Sequence, residues 1–262
     1  MEPVICFETL YPELAPEEKI AAVKAAGFES VEFWSWRDKN LPALAEACRR
    51  HGATVANFSG QRRGSLVDRD SHHLLTGELE ESVAAARLLD CSTLMLLSNE
   101  LDEEGNVAEE YAGIPAAEKR AALKAGLEQA RQQTPADILL VLEPLNTRID
   151  HPGYFLNDIA AAVALIREIA DPGIKLLCDF YHLGVMGESL EAVIDRFTPE
   201  IGHVHVADFP GRHEPGTGTA DWLGLLRRLR DAGYDGNVGF EYFPLSDSDE
   251  SLEAVRRFWD SL

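Results

Sequence analysis

The chain has 262 residues, of which 45 are acidic and 24 are basic, and its formal net charge at pH 7 is −21. A surface this negative repels phosphate backbones and anionic membranes, so we expect no nucleic-acid partner and no membrane partner. Hydrophobic residues make up 45% of the chain and charged residues 26%, which argues against disorder. The length suits two small domains or one α/β barrel, which typically contains about 200–250 residues.

The N-terminus and the cysteines predict a cytoplasmic protein. No apolar run reaches the roughly 18 residues that span a bilayer. The opening residues Met1-Glu2-Pro3 lack the basic and then apolar order of a signal peptide. The four cysteines are scattered with no Cys-x-x-Cys pair, which is typical of reduced, buried thiols.

Eight short apolar runs predict β-strands along the whole chain. Each run is rich in Val, Ile, Leu or Phe without strict polar alternation, as in strands that are buried on both faces. The runs are Val4–Phe7, Ser30–Phe33, Thr54–Phe58, Thr93–Leu97, Ile138–Glu143, Ile174–Asp179, Gly202–Ala207 and Val238–Tyr242. Apolar residues at helical spacing lie between them, as at Ile159, Val163, Ile166 and Ile169, and at Leu223, Leu226 and Leu229.

A helix–glycine–strand junction recurs in the sequence. Gly27 and Gly233 each follow a helical pattern and precede a predicted strand, and Gly52 is in a looser copy of the same junction. Glycine just past a helix adopts the left-handed conformation that ends it. Repeated βα units predict an α/β fold, a (β/α)₈ TIM barrel, as a single domain over residues 1–262. No glycine-rich dinucleotide fingerprint follows the first strand, so a Rossmann sheet is disfavoured.

Four predicted strands in the second half of the chain end in a potential metal ligand. The carboxyl ends of barrel strands form the mouth where active sites lie. Carboxylates buried there without partners would be costly, and a divalent cation offsets that cost. Three carboxylates and one imidazole suit Mn²⁺, Mg²⁺, Co²⁺ or Zn²⁺. The four residues are Glu143, Asp179, His205 and Glu241.

Each of these residues also has a purely structural interpretation. A single glutamate at a strand end is often only solvated. His203 and His205 share parity, so both point inward or both point outward, and His203 is the better candidate for a hydrogen-bonded core histidine. Four such groups on four successive strand ends favour the metal site.

Further polar residues follow these strand ends and are candidates for substrate binding. His182 follows the sixth strand, Arg212 lies in the glycine- and proline-rich loop 207–218, and Asn146 follows the fifth strand. For loop 207–218 an ordinary hydrated surface loop is the alternative. The pair Arg62-Arg63 after the third strand either reaches the barrel mouth or lies on the surface, and the sequence leaves both open.

These motifs resemble the hydroxypyruvate isomerase family, part of the xylose-isomerase-like superfamily of sugar isomerases and epimerases. The resemblance spans nearly the whole chain and is carried by Glu143-Pro-Leu-Asn-Thr-Arg, Asp179-Phe-Tyr-His-Leu, Gly202-His-Val-His-Val-Ala-Asp, Pro210-Gly-Arg-His-Glu-Pro-Gly-Thr-Gly and Gly239-Phe-Glu-Tyr. It implies a (β/α)₈ barrel that binds one divalent metal ion through the four residues named above. It also implies that Glu143 and Glu241 transfer protons, and that His182 and Arg212 bind the substrate.

We therefore expect a metal-dependent isomerase of a small hydroxy-keto acid or sugar, with hydroxypyruvate to tartronate semialdehyde as the leading reaction. The metal polarises the carbonyl and stabilises an enediolate, while a glutamate removes the proton and a glutamate returns it to the adjacent carbon. The broader epimerase group carries His at the position of His205, where hydroxypyruvate isomerases often carry Gln. A ketose 3-epimerase, a 2-oxo-tetronate isomerase and a dehydratase of the inosose or dehydroshikimate type therefore stay open.

Two further functional hypotheses have less support from the sequence. A nuclease for abasic DNA needs several metals and a basic face, and a non-catalytic sugar-binding barrel would lack one of the two glutamates. The sequence is compatible with a homo-oligomer and does not identify the metal.

Overall fold

The strands close into one parallel barrel. A computed structural model describes residues 1–262. Each strand pairs with its neighbours in chain order, and β1 pairs with β8 to close the ring. The strands are β1 (Glu2–Cys6), β2 (Ser30–Phe33), β3 (Thr54–Ser59), β4 (Thr93–Leu97), β5 (Leu139–Glu143), β6 (Ile174–Asp179), β7 (Ile201–Val206) and β8 (Asn237–Phe240). The predicted (β/α)₈ barrel is confirmed, and all eight predicted strands occur with ends that differ by at most two residues.

Helices surround the barrel, and two of them follow β6. They are α1 (Pro16–Ala25), α2 (Leu41–His51), α3 (His72–Leu89), α4 (Ala116–Gln133), α5 (Ile159–Ile169), α6 (Phe180–Met186), α7 (Leu190–Phe197), α8 (Trp222–Asp231) and α9 (Ser248–Asp260). None of these helices has the length and apolar character needed to cross a membrane. The glycines at the predicted junctions have left-handed φ angles of 89° at Gly27, 63° at Gly52 and 96° at Gly233.

The buried face of α8 differs in one position from the sequence prediction. The leucine pattern placed Leu223 on that face, but Leu225 is buried there and Leu223 is only half-buried. The helix begins at Trp222, which is itself buried. A face that starts at Trp222 continues at spacings of three, four and seven residues, which selects Leu225, Leu226 and Leu229.

Inside the barrel, a glycine on β8 allows a close approach between opposite elements. A Cβ atom added at Gly239 would lie 2.0 Å from Oε1 of Glu32 on β2 and 2.8 Å from Cδ2 of His205 on β7. Both side chains are buried in the barrel interior. Glycine is therefore required on β8 for a carboxylate to cross the interior from β2 to β7.

The variant Gly239→Ala tests this packing. We expect it to lower the free energy of unfolding by about 1–3 kcal/mol, because an added methyl group in a filled core forces its neighbours to move. Urea denaturation measures the change. The control is Gly77→Ala in α3, where an added Cβ meets no atom within 4 Å and helix propensity favours alanine. Equal stability of Gly239→Ala and the parent protein would contradict the packing argument.

Candidate active site

Four ionisable residues from adjacent strands meet at the mouth of the barrel. Glu143 and Asp179 are the last residues of β5 and β6, His205 is the penultimate residue of β7, and Glu241 directly follows β8. Because the strands are parallel and adjacent, their carboxyl ends meet on one side of the barrel. All four side chains are buried, with residue exposures between 2% and 8%. The structure thus brings together the complete ligand set that the sequence predicted.

Nδ1 of His205 faces the three carboxylates. It lies 3.6 Å from Oε1 of Glu143, 3.8 Å from Oδ2 of Asp179 and 3.7 Å from Oε2 of Glu241. These distances are too long for hydrogen bonds, and this buried nitrogen has no hydrogen-bond partner. An unpartnered imidazole nitrogen facing three carboxylates is an arrangement that a shared cation satisfies. The residues present therefore fit a divalent metal ion.

The pKa values show that the buried cluster favours the protonated forms of its side chains. Burial, reinforced by the neighbouring carboxylates and partly offset by His205, raises the pKa of Glu143 to about 7. Burial likewise raises the pKa of Asp179 to about 6, against the opposing effect of His205. Burial opposes the charge on His205, but Glu32 and Glu241 outweigh it and raise that pKa well above its usual value. Without a cation, the buried cluster therefore retains protons that a bound metal would displace.

Glu32 on β2 is a functional candidate that the sequence reasoning missed. The ring Nε2 of His203 donates a hydrogen bond to Oε2 of Glu32 over 2.8 Å. Oε1 of Glu32 lies 3.2 Å from Nε2 of His205, without the alignment of a hydrogen bond. Burial disfavours the charged carboxylate, but His205 and His203 outweigh it and lower the pKa of Glu32 to about 2. An ionised Glu32 therefore attracts Nε2 of His205 and leaves Nδ1 facing the other carboxylates.

Glu241 is held from two sides. The indole Nε1 of Trp34 donates to its Oε1, and Nη2 of Arg212 forms an ion pair with its Oε2. The Arg212 guanidinium also lies 4.9 Å from the ring centroid of Tyr181. Arg212 has a left-handed φ of 56°, in the loop that follows β7. The structure places Arg212 on the pocket wall, with its charge already paired to a carboxylate of the protein.

His182 lies beside Asp179 as a neutral imidazole. Its backbone N–H donates to Oδ1 of Asp179 over 3.0 Å, which caps α6. Its Nδ1 accepts a hydrogen bond from Nδ2 of Asn146 over 2.7 Å, so the ring proton resides on Nε2. Burial, followed by the charge of Arg212, lowers the pKa of His182 well below its usual value. The Nε2–H, 3.6 Å from Oδ2 of Asp179, is thus directed towards the cluster.

Asn146 follows β5, as the sequence indicates, but its side chain does not line the cavity. It is fully buried, and its Nδ2 donates to both His182 and Asp150. Its Oδ1 accepts from the backbone N–H groups of Ile149 at 3.0 Å and Asp150 at 3.1 Å. Because its polar atoms are already used and it does not line the pocket, we replace its predicted substrate contact with orientation of His182.

The loop after β7 is only partly directed at the pocket. Arg212 lines the pocket, but neither His213 nor Glu214 does. The His213 ring pairs with the carbonyl of Phe243 over 2.7 Å, and Glu214 accepts from the backbone N–H of Leu245 over 3.1 Å. These two residues instead fix the segment that follows β8.

The cavity above the cluster has a volume of about 180 Å³. Its polar wall contains Glu103, Glu104, Glu143, Asp150, His151, His182, Arg212 and Glu241. Its apolar wall contains Trp34, Met95, Leu97, Leu101, Leu145 and Phe243. Arg62 also lines the cavity, whereas Arg63 is exposed, so the two arginines that the sequence left open have different locations.

A closed parallel barrel with this carboxylate–imidazole cluster at its mouth defines a class of barrel enzyme. Residues 20–261 match the family described as xylose isomerase-like TIM barrel, and the chain belongs to that family. More particularly, the chain resembles the isomerases within it. It is 33% identical over 250 residues to the hydroxypyruvate isomerase of Escherichia coli strain K12, covering 92% of each chain.

Two further matches extend the comparison, one to a second isomerase and one to a solved barrel structure. The chain is 29% identical over 263 residues to the 2-oxo-tetronate isomerase of Cupriavidus necator, covering 93% of each chain. The crystal structure of AP endonuclease, family 2, from Brucella melitensis has a TM-score of 0.89 at 25% identity, covering 98% of this chain and 99% of that one. The similarity to named isomerases over nearly the whole length identifies this chain as an isomerase.

Chelating all divalent metal should make the stability of the protein depend on pH. In the metal-free protein the raised pKa values of Glu143 and Asp179 mean that folding favours their protonated forms. Their contribution to stability should therefore fall as the pH rises from about 4 to about 7, and the contribution of His205 falls at higher pH. The lowered pKa values of His151 and His182 act in the opposite direction below about pH 6.5, so the prediction concerns the change that added cation produces.

Added Mn²⁺ should restore stability most strongly where the ligands are deprotonated. At one fixed Mn²⁺ concentration, about 100 times the Kd at pH 8, we expect the Tm to rise by about 5–10 °C at pH 8 and much less at pH 5. Differential scanning fluorimetry with and without Mn²⁺ measures both values. An equal Tm increase at the two pH values would refute the proposed link between the cluster and the cation.

The variant Glu32→Gln tests the support of His205. Loss of the charge next to Nε2 should weaken Mn²⁺ binding by about 10–100-fold, the usual effect of removing a carboxylate behind a metal-ligating histidine. Isothermal titration calorimetry measures the Kd. Glu29→Gln is the matched control, because Glu29 lies just before β2 with its side chain 75% exposed. A Glu32→Gln protein with unchanged Mn²⁺ affinity would show that Glu32 has no such role.

Proposed function

We propose that the chain is a divalent-cation-dependent isomerase that converts hydroxypyruvate to tartronate semialdehyde. The main observation behind this proposal is that Glu143 and Glu241 both face one imidazole nitrogen, Nδ1 of His205, beside a small cavity. Two glutamates in reach of one bound substrate are what proton transfer between adjacent carbons requires. The similarity to the Escherichia coli enzyme points to the same reaction.

The residues that would hold the cation are Glu143, Asp179, His205 and Glu241. A divalent cation supplies Lewis-acid charge for the substrate oxygens when it is bound there. Glu32 keeps His205 in the orientation that presents Nδ1 to the three carboxylates. Neutral His182, positioned by Asn146, presents an N–H donor from the side.

The two glutamates differ in their surroundings, which suggests different roles. Both oxygens of Glu241 accept hydrogen bonds, one from Trp34 and one from Arg212. The Glu143 carboxylate faces the unpartnered Nδ1 of His205. Burial raises the pKa of Glu143 to about 7, so we assign Glu143 as the base that removes the first proton.

The proton movements balance within the substrate. One glutamate removes a proton from C3 of hydroxypyruvate, which leaves an enediolate spanning C2 and C3. A glutamate then delivers a proton to C2, and the hydroxyl proton moves from the C3 oxygen to the C2 oxygen. His182 Nε2–H is placed to hydrogen-bond one of these oxygens as its charge develops.

A 2-oxo-tetronate is the second candidate substrate, because a relative from Cupriavidus necator carries that name. It is also a hydroxy-keto acid, and the same proton transfer would apply to it. An NMR screen of the manganese-loaded protein with hydroxypyruvate, 2-oxo-tetronates and ketoses separates the candidates. Product that has lost water would identify a dehydratase, and inversion at one carbon would identify an epimerase.

The net charge argues against a DNA substrate. The similar Brucella structure is named as an AP endonuclease. The net charge of −21 of the present chain opposes binding to DNA phosphates, so we do not propose that activity here.

The cysteines support a cytoplasmic location. All four are free and buried, which is typical of proteins in a reducing compartment such as the cytoplasm.

The variant Glu241→Gln tests the proton-transfer role. With Mn²⁺ at saturation, we expect at least about a 100-fold loss of isomerisation and of deuterium delivery from solvent to C2, because one proton-transfer group is removed. Proton NMR in D₂O measures both rates, and metal analysis of the same sample confirms that the site is loaded. Glu253→Gln is the control, because Glu253 lies exposed on α9. Retained isomerisation with deuterium delivery to C2 in loaded Glu241→Gln would disprove its role in proton transfer.

A further inference from the structure

The cavity contains two arginines that lie on opposite sides of the barrel. Arg212 follows β7, and Arg62 follows β3. In a closed ring of eight strands, β3 and β7 are four strands apart and so face each other across the mouth. The candidate metal ligands all lie on β5 to β8 or directly after them. Arg62 is therefore at the end of the cavity that is farther from the cluster.

The two arginine side chains have different partners. Arg212 is ion-paired with Glu241 and stacked against Tyr181. Arg62 is half-buried, and its Nη2 contacts only the backbone carbonyl of Asp102, at the long distance of 3.5 Å. It takes part in no salt bridge, although the chain has 45 acidic residues. A partly desolvated guanidinium without an anion is costly unless an anionic ligand completes it.

Several acidic residues lie near Arg62 without forming an ion pair with it. They are Glu8, Asp38, Glu78 and Glu100, whose charges favour the guanidinium, and Glu103 and Glu104, which line the same cavity. Glu78 and Glu100 contact the loop backbone instead. Oε1 of Glu78 accepts the backbone N–H of Arg62 over 3.1 Å, and its carboxylate is ion-paired with Arg37. Oε2 of Glu100 accepts the backbone N–H of Gly64 over 2.7 Å. These acids hold the backbone of the loop after β3 and leave the guanidinium of Arg62 free. The loop therefore presents a fixed, unpaired cation to the cavity.

We propose that Arg62 binds the carboxylate of the substrate and thereby selects keto acids over neutral ketoses. This inference rests on the proposed function, since it assigns one end of the same substrate. In hydroxypyruvate the carboxylate is bonded to C2 and lies at the end away from C3. With the reacting oxygens at the cluster, the carboxylate points towards β3 and meets the guanidinium fork. Arg212 cannot provide the same selection, because its charge already balances Glu241.

Steady-state kinetics on a matched set of variants tests the proposal. For hydroxypyruvate we expect Arg62→Gln to raise KM by about 10–100-fold and to change kcat much less, the effect of a lost charge-assisted hydrogen bond to bound substrate. Arg62→Lys should recover part of the loss, because the charge returns without the fork. Arg63→Gln, at the exposed neighbouring position, should behave like the parent protein. An unchanged KM for hydroxypyruvate in Arg62→Gln would overturn the proposal.

Equilibrium binding separates this proposal from the proposed reaction. Calorimetry on the manganese-loaded protein compares tartronate, an unreactive dicarboxylate, with dihydroxyacetone, in which a hydroxymethyl group replaces the carboxylate of hydroxypyruvate. Arg62→Gln should weaken tartronate binding by at least about tenfold and leave dihydroxyacetone binding unchanged. Equal losses for both ligands, or none for tartronate, would overturn the role of Arg62. If Arg62→Gln has these effects on binding but the parent protein does not isomerise hydroxypyruvate, the role of Arg62 in carboxylate binding is supported and only the proposed reaction is rejected.

Discussion

The structure depends on placing three buried carboxylates and one imidazole around a single point. Closure of the barrel makes this unavoidable, because adjacent parallel strands bring Glu143, Asp179, His205 and Glu241 to the same side. Burial disfavours the charged carboxylates and, together with repulsion between like charges, raises the pKa values of Glu143 and Asp179. A divalent cation would offset both effects, so the features that orient these side chains also suit a metal site.

The surrounding residues serve this arrangement from several elements of the barrel. Glu32 reaches across the interior from β2 to His205, and only glycine at position 239 leaves room for it. Trp34 and Arg212 hold Glu241, so the two glutamates have different environments. The β5–β8 half of the mouth carries the chemistry. The β2–β4 half supplies four of the six apolar wall residues, the carboxylates of Glu103 and Glu104, and the guanidinium of Arg62.

The sequence predicts the strands and the ligand set because their signals are local. An apolar run that ends in an acid identifies both a strand and its mouth end, as at Glu143 and Asp179. The contacts of Glu32 and Trp34 could not be predicted because they join distant parts of the chain. Glu32 and His203 are 171 residues apart, and Trp34 and Glu241 are 207 residues apart. The acid within Val31-Glu32-Phe33 was the one available signal for Glu32. The separation of Arg62 from Arg63 was equally inaccessible, since loop conformation alone decides which side chain enters the cavity.

The central claim is that the buried cluster binds one divalent cation. Crystals of the protein grown with Mn²⁺ and measured at the manganese absorption edge test it most directly. The account predicts a single anomalous peak bounded by Nδ1 of His205 and the carboxylates of Glu143, Asp179 and Glu241. Crystals of catalytically active, manganese-saturated protein without a peak between these four side chains would contradict it.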